Sequence, residues 1–221
     1  MWPPPYPRLA HLVPTAGTTR DDVVLADHER DELLAGPVVL EEKVDGANVM
    51  LWLQDGRPEV ASRGGVGAMD RGGQLGPLRA WMGPRSDELR RLLVDGRVLY
   101  GEWLWRRHTV RYTRLGDWFI GLDVLERSGA WLDVEPRNAV LRAAGIHPPP
   151  LVHGPARWRL EDLLELSVPS ALGDEPAEGV IVRRAPGNPA RVRVAKLLAP
   201  SFRRLTDADF AAAREGNRLA E

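Results

Sequence analysis

Val38-Val39-Leu40-Glu41-Glu42-Lys43-Val44-Asp45-Gly46-Ala47-Asn48-Val49-Met50-Leu51-Trp52-Leu53 reads as two short β runs joined through a lysine. Val38 to Val44 is the first. In the second, Ala47 to Leu53, the residues Val49, Leu51 and Leu53 alternate with Met50 and Trp52. Both faces are therefore apolar, which predicts a strand covered on two sides. Asp55-Gly56 is a hairpin turn signal, with Glu59 to Ser62 as the return strand. Gly64 to Gly76 is glycine-rich and reads as a loop, and Ser86 to Leu93 as a helix with Ser86 as N-cap. Val98 to Trp105, Trp118 to Leu125 and Ala130 to Val134 form a second β block. Pro136 to Ala144, closed by Gly145, and Trp158 to Leu166 are expected helices. Glu178 to Arg184 and Arg191 to Leu198 form a last hairpin around Pro186-Gly187-Asn188. The pattern is an α+β chain built on antiparallel strands; without regular βαβ alternation it argues against a Rossmann-type site.

The 221 residues fit one large domain or two small ones and can bury a real core; with no convincing linker, a single domain is the expectation. Its expected parts are an N-terminal arm and helix over 1–37, a core over 38–198 and a short helical tail over 199–221. The arm is proline-punctuated from Pro3 to Pro14, and Thr19 to Leu34 is helix-prone. A net charge of −1 leaves no global basic field, so a nucleic-acid partner would need a local patch. With no cysteine, disulfides and thiolate metal sites are excluded. No run approaches a membrane span and no signal-peptide pattern opens the chain, so a cytoplasmic location is the expectation.

Of thirty basic residues only Lys43 and Lys196 are lysines, the mark of a GC-rich coding bias that replaced the exchangeable ones with arginine. Arginine stays protonated, whereas a lysine in a tuned site can lose its proton and act as a nucleophile. Lys43 stands in Lys-x-Asp-Gly, where Gly46 lets backbone approach a phosphate and Lys43 can point into a pocket. Four segments follow in order: Ser62-Arg63-Gly64; Leu99-Tyr100-Gly101-Glu102-Trp103; Trp118-Phe119-Ile120-Gly121-Leu122-Asp123-Val124; and Glu178-Gly179-Val180-Ile181-Val182. Each of the last three carries one acid on an otherwise apolar strand.

That order, from about Val38 to Leu198, resembles the covalent nucleotidyltransferase superfamily, the polynucleotide ligases and RNA capping enzymes, through motifs I, Ia, III, IIIa, IV and V. Within it the chain is most similar to the RNA ligase 2-like family. Asn48, five residues after the lysine, is where DNA ligases typically carry arginine. Gly101-Glu102-Trp103-Leu104-Trp105-Arg106-Arg107-His108 looks like the stand-alone bacterial RNA ligases. The resemblance implies an ATP-dependent RNA ligase with Mg²⁺ (or Mn²⁺), joining RNA 5′-phosphate and 3′-OH ends through a lysyl-AMP intermediate, with RNA repair as its setting. It assigns Lys43, Asp45, Glu178 and Lys196 to catalysis, with Lys43 as nucleophile and Lys196 neutralising the α-phosphate. Glu178 would bind the metal. Glu42, Asn48, Arg63, Glu102, Leu122 and Ile181 join the two lysines in holding the nucleotide.

Two departures stand out. Leu122 replaces the aromatic residue that stacks on adenine in the family, with Phe119 three residues earlier. Val194 replaces the first motif V lysine, with Arg191 and Arg193 adjacent. Arg106, Arg107, His108, Arg111 and Arg114, interleaved with Trp105 and Tyr112, form a basic stretch suited to RNA backbone and stacking contacts. Twenty-five residues after Lys196 are too few for an OB-fold domain, so the expected enzyme has none and a protein partner would supply substrate binding. The alternatives are a minimal DNA nick ligase, disfavoured by Asn48, and a non-catalytic nucleotide- or RNA-binding protein on a ligase scaffold, motivated by Leu122 and Val194.

Overall fold

The lysine sequence carries the chain from one antiparallel sheet to another. The computed structural model describes residues 2–16, 18–63, 73–200, 202 and 216–220. Most of the Gly64 to Gly76 loop and most of the expected helical tail lie outside them. Strands β1 (Val38–Glu42), β6 (Leu151–Ala156), β7 (Gly179–Arg184) and β8 (Val194–Leu198) form the first sheet, in the order β6-β1-β7-β8. Strands β2 (Ala47–Gln54), β3 (Arg57–Ser62), β4 (Val98–Trp103) and β5 (Phe119–Leu125) form the second, in the order β3-β2-β4-β5. Every pairing between these strands is antiparallel. Residues 43–46 span the two sheets.

Strand β2 is covered on both faces, as its double apolar pattern predicts. Val49 and Leu51 pack with Leu99, Phe119 and the helices α2 (Leu75–Met82) and α3 (Ser86–Leu93). Met50 and Trp52 face the other way, onto Val98, Tyr100 and Tyr6. Helix α3 buries Leu89, Leu92 and Leu93, one face at helical spacing. Helix α1 (Asp27–Ala35) is shorter than its predicted stretch and buries Leu33 alone. Helix α4 (Val134–Ala143) follows β5, and helix α5 (Leu160–Leu164) follows β6.

Several expectations are corrected. Helix α2 begins inside the supposed loop: Leu75, Leu78, Trp81 and Met82 are its buried face. Gly76 and Pro77 sit in its first turn, where backbone N–H groups lack intrahelical partners and proline is tolerated. Ser86 is not an N-cap, because a 3₁₀ turn at Gly83–Arg85 leads straight into α3 and gives Ser86 helical angles. Ala130 to Val134 is no strand: Trp131 makes one isolated bridge to Leu125, and Val134 opens α4. Trp158 stays outside α5, with its ring edge-on to His153. Strand β6 goes unseen in the sequence because Gly154 and Pro155 read as breakers; as an edge strand paired only to β1 it tolerates both.

Candidate active site

Strand β1 ends at Glu42, and the next residue turns its side chain into a cavity of about 440 Å³ between the sheets. Glu42, Lys43, Asp45, Asn48, Arg63, Glu102, Leu122, Glu178, Ile181 and Lys196 all line it. These are all ten residues named from sequence for catalysis, nucleotide and metal. They come from both sheets, so the antiparallel pairings are what bring them together.

Lys43 donates its backbone N–H to the Gly179 carbonyl (3.0 Å), and its ammonium pairs with the Glu178 carboxylate. Burial alone would lower its pKa. The charges of Glu178, Asp45 and Glu102 outweigh that and hold it above the ordinary lysine value. Asp45 uses its carboxylate elsewhere: Oδ2 accepts the N–H groups of Thr109 (2.6 Å) and Val110 (3.0 Å). The Asp45 N–H donates to the Tyr112 hydroxyl (2.7 Å). Asp45 therefore staples the segment after β4 against the loop that carries Lys43.

Gly46 makes the close approach its position requires. A Cβ there would lie 2.6 Å from Leu104 Cδ2 and 2.7 Å from the Trp103 carbonyl oxygen. Its N–H donates to Glu102 Oε1 (3.1 Å). Gly46→Ala is expected to cost about 2 kcal/mol through overpacking, a fall in Tm of roughly 5 °C, together with reduced reaction at Lys43; thermal melts and nucleotide labelling check both.

Burial pushes the Glu102 carboxyl up to about 7, against the lowering effect of Lys43. Asn48 Nδ2 donates to Glu102 Oε2 (3.3 Å) and to the Gly101 carbonyl (3.4 Å). Asn48 Oδ1 has no partner among the described residues and is an acceptor held ready for a ligand donor. Arg63 is exposed at the mouth, anchored by its N–H on the Asn48 carbonyl (3.0 Å). Glu42 is buried, its carboxylate accepting from Ser170 Oγ (2.6 Å) and the Ala171 N–H (2.9 Å). The N–H groups of Glu42 and Lys43 are both engaged by carbonyls, of Pro150 and Gly179.

The two departures from the motif pattern have structural answers. The β4–β5 register shifts between Tyr100↔Asp123 and Gly101↔Gly121, making Leu122 the extra residue of a bulge. A bulge re-aims a side chain, and Leu122 lines the cavity with Ile181. The Leu122 carbonyl accepts from Arg137 (2.9 Å) and Arg183 (3.3 Å). Phe119 is fully buried against Trp81 and does not reach the cavity. Arg193 does not share Lys196's face: its guanidinium bonds Asp123 Oδ1 (2.9 Å) and lies 4.7 Å over the Trp131 ring. Arg183, directly across the ladder from Val194, lines the cavity instead.

Beneath this wall runs a buried ionic network. Glu41 pairs with Arg137 and Arg183, and Arg183 also bonds Asp123 at 2.9 Å. It joins both sheets and α4. Burial alone would raise the Asp123 carboxyl, but Arg183 and Arg193 lower it to about 2. Tyr6 donates its hydroxyl to Asp123 and lines the cavity with Pro7, Leu9 and His108. Sequence reasoning missed Tyr6, Pro7, Leu9 and Arg183, and named His108 only within the basic stretch. The sequence held no signal for the arm residues, whereas His108 closes the quoted Gly101 to His108 segment.

Of the basic stretch, Arg106 is exposed. Arg107 pairs with Glu175 (3.2 Å), Arg111 donates its backbone N–H to Glu175 (2.9 Å), and Arg114 pairs with Asp174. Tyr112 is fully buried and offers no stacking face, whereas Trp105 is 44 % exposed.

The family model for RNA ligase matches residues 36–198. No curated protein matches the chain. Among solved structures, a Naegleria gruberi RNA ligase with pyrophosphate aligns at a TM-score of 0.60 and 15% identity, over 89% of this chain and 61% of that one. An archaeal ATP-dependent RNA ligase aligns at 0.59 and 20%, over 88% and 48%. A mutant of the Naegleria enzyme with ATP and manganese aligns at 0.57 and 13%, over 96% and 60%. The chain thus spans about half to three fifths of these proteins, and at such identities the likeness is one of fold. With the family match covering most of its length, the chain belongs to the RNA ligase family.

Proposed function

We propose that this protein is an ATP-dependent RNA ligase that joins RNA 5′-phosphate and 3′-OH ends. The observation that carries the reading is the convergence of all ten motif residues on one cavity. In the first step the neutral Lys43 amine attacks the α-phosphorus of ATP. A nitrogen–phosphorus bond forms, the bond to pyrophosphate breaks, and the chain holds a lysyl-AMP. The AMP then passes to an RNA 5′-phosphate, and attack by a 3′-OH expels it. Such displacements depend on positioning and charge neutralisation.

Glu102 and the Asn48 acceptor hold the ribose, Leu122 and Ile181 flank the base, and Arg63 reaches ribose or phosphate at the mouth. Lys196 meets the α-phosphate. Two aliphatic walls grip a purine less selectively than an aromatic stack. Among the described residues no three acids or histidines cluster as a metal site. Glu178 suits a cation that keeps its waters and leans on substrate phosphates, as Mg²⁺ does and Mn²⁺ can. Bound there, such an ion would neutralise phosphate charge. The Naegleria complex with ATP and manganese supports this choice.

RNA would approach over Arg106 and the arginines beside it, with a protein partner assisting because Asp174 and Glu175 offset part of that charge. RNA repair in the cytoplasm is the setting we infer; no described helix is long and apolar enough to cross a membrane. The test is sealing of matched nicked RNA and DNA substrates by one preparation with ATP and Mg²⁺. RNA should be joined and DNA not. Sealing of DNA alone would establish the nick-ligase alternative, and sealing of neither, with no AMP on the chain, the non-catalytic one.

A further inference from the structure

The N-terminal arm does more than cover an edge. Residues 10–12 add to β8 at the catalytic lysine: Lys196 donates its N–H to the Ala10 carbonyl (2.9 Å), and Leu12 returns one to Lys196 (2.8 Å). On its other side His11 bonds the next segment, N–H to the Val23 carbonyl (2.7 Å), with Leu25 N–H to the His11 carbonyl (2.9 Å). That second segment brings Asp22 to Lys196. Asp22 Oδ1 lies 3.3 Å from Lys196 Nζ and 3.3 Å from Nε2 of the fully buried His11. Asp22 Oδ2 accepts from the Thr19 N–H and hydroxyl, both at 3.0 Å. The carboxylate is thus fixed by its own loop through one oxygen, while the other meets the lysine and His11. Lys196 lines the cavity and Asp22 does not.

We propose that Asp22 is a positioning residue for Lys196: it holds the ammonium at one place on the cavity wall, so that charge neutralisation at the transferring phosphate needs no reorganisation. This rests on the reading of Lys196 as the α-phosphate cation. A lysine has a long, rotamer-rich side chain and three donors, so one fixed acceptor behind it removes freedom that substrate would otherwise have to remove. Position 22 lies outside every ligase motif quoted above, and the contact joins residues 174 positions apart.

The chain's two lysines make the test direct. Protein labelled with ¹³C-lysine gives two ε-carbon signals, assigned with Lys196→Ala. Asp22→Asn, which preserves shape, should move the Lys196 signal and leave that of Lys43 in place. It should also slow AMP transfer to Lys43 about tenfold at saturating ATP, with little change in KM, and should add nothing in a Lys196→Ala background. An unmoved Lys196 signal overturns the pairing. A rate loss that adds in full to that of Lys196→Ala overturns the positioning role, because it shows Asp22 acting on the fold at large. If the wild type takes no AMP, the ligase reading fails and the positioning role with it, while the lysine signals still decide the Asp22 contact.

Discussion

Replacing Lys43 with alanine should leave no AMP on the denatured chain after incubation with α-labelled ATP and Mg²⁺, while the wild type retains one label per chain. Lys43→Arg should be equally inert, because a guanidinium cannot be deprotonated to a nucleophile. The two-lysine composition makes the result unambiguous, since Lys196 is the other lysine side chain present. Labelling of Lys43→Ala at the wild-type level would remove Lys43 from the chemistry. The prediction requires that the amine become neutral in a site whose resting charges oppose it. A free lysine is neutral in only about one molecule in a thousand near pH 7.5, and Glu178 makes this one rarer. Reaching neutrality means offsetting at least ~4 kcal/mol of differential interaction, the equivalent of about three pKa units. Glu178 must therefore turn its charge elsewhere during the step. Circular dichroism of both variants should match the wild type, which separates a lost nucleophile from a lost fold.

How much of this was legible beforehand depended on the range of the interaction. A strand apolar on both faces, such as Val49 to Leu53, announces itself because each residue carries its own burial signal. The β6 edge does not, because Gly154 and Pro155 are acceptable there only by virtue of the neighbour that leaves one side unpaired. Helix α2 was masked by Gly76-Pro77, which mean a loop in isolation and a first turn once Leu78 and Trp81 find the core. In the site, the resemblance to the ligase motifs named ten residues that line the cavity, but not Tyr6, Pro7, Leu9 or Arg183 beside them. It did not show what holds them. Arg137 and Arg183 look like any two of twenty-eight arginines, and Glu41 like a neighbour of Glu42. Only the fold reveals that these three are buried together. Leu122 read as a departure from pattern; the bulge that presents it is a property of the β4–β5 register, which no single strand carries.

That hidden network gives the largest expected effect on stability. Arg137 is fully buried and meets Glu41, the Leu122 carbonyl and Asn138 Oδ1. Arg137→Met keeps most of the volume but leaves Glu41 with half its counter-charge and the bulged carbonyl with one donor fewer. Breaking a buried pair from one side costs about 3–5 kcal/mol, so Tm should fall by roughly 10 °C for a chain of this size. The measurement belongs near pH 7. Asp123 is depressed to about 2 in the fold, so its contribution is complete above the unfolded carboxyl value near 3.8 and is lost as pH falls through 2. At neutral pH Asp123 is therefore fully charged, and the difference between wild type and variant reads the loss of Arg137 alone. A second consequence separates this variant from an ordinary core defect. Because Arg137 and Arg183 both hold the carbonyl of Leu122, the variant should raise KM for ATP even where it is still folded, at temperatures well below its own Tm. A variant that melts 10 °C lower yet binds ATP as the wild type does would show that the network supports the sheets and not the base wall. An unchanged Tm would show that Arg183 alone satisfies Glu41.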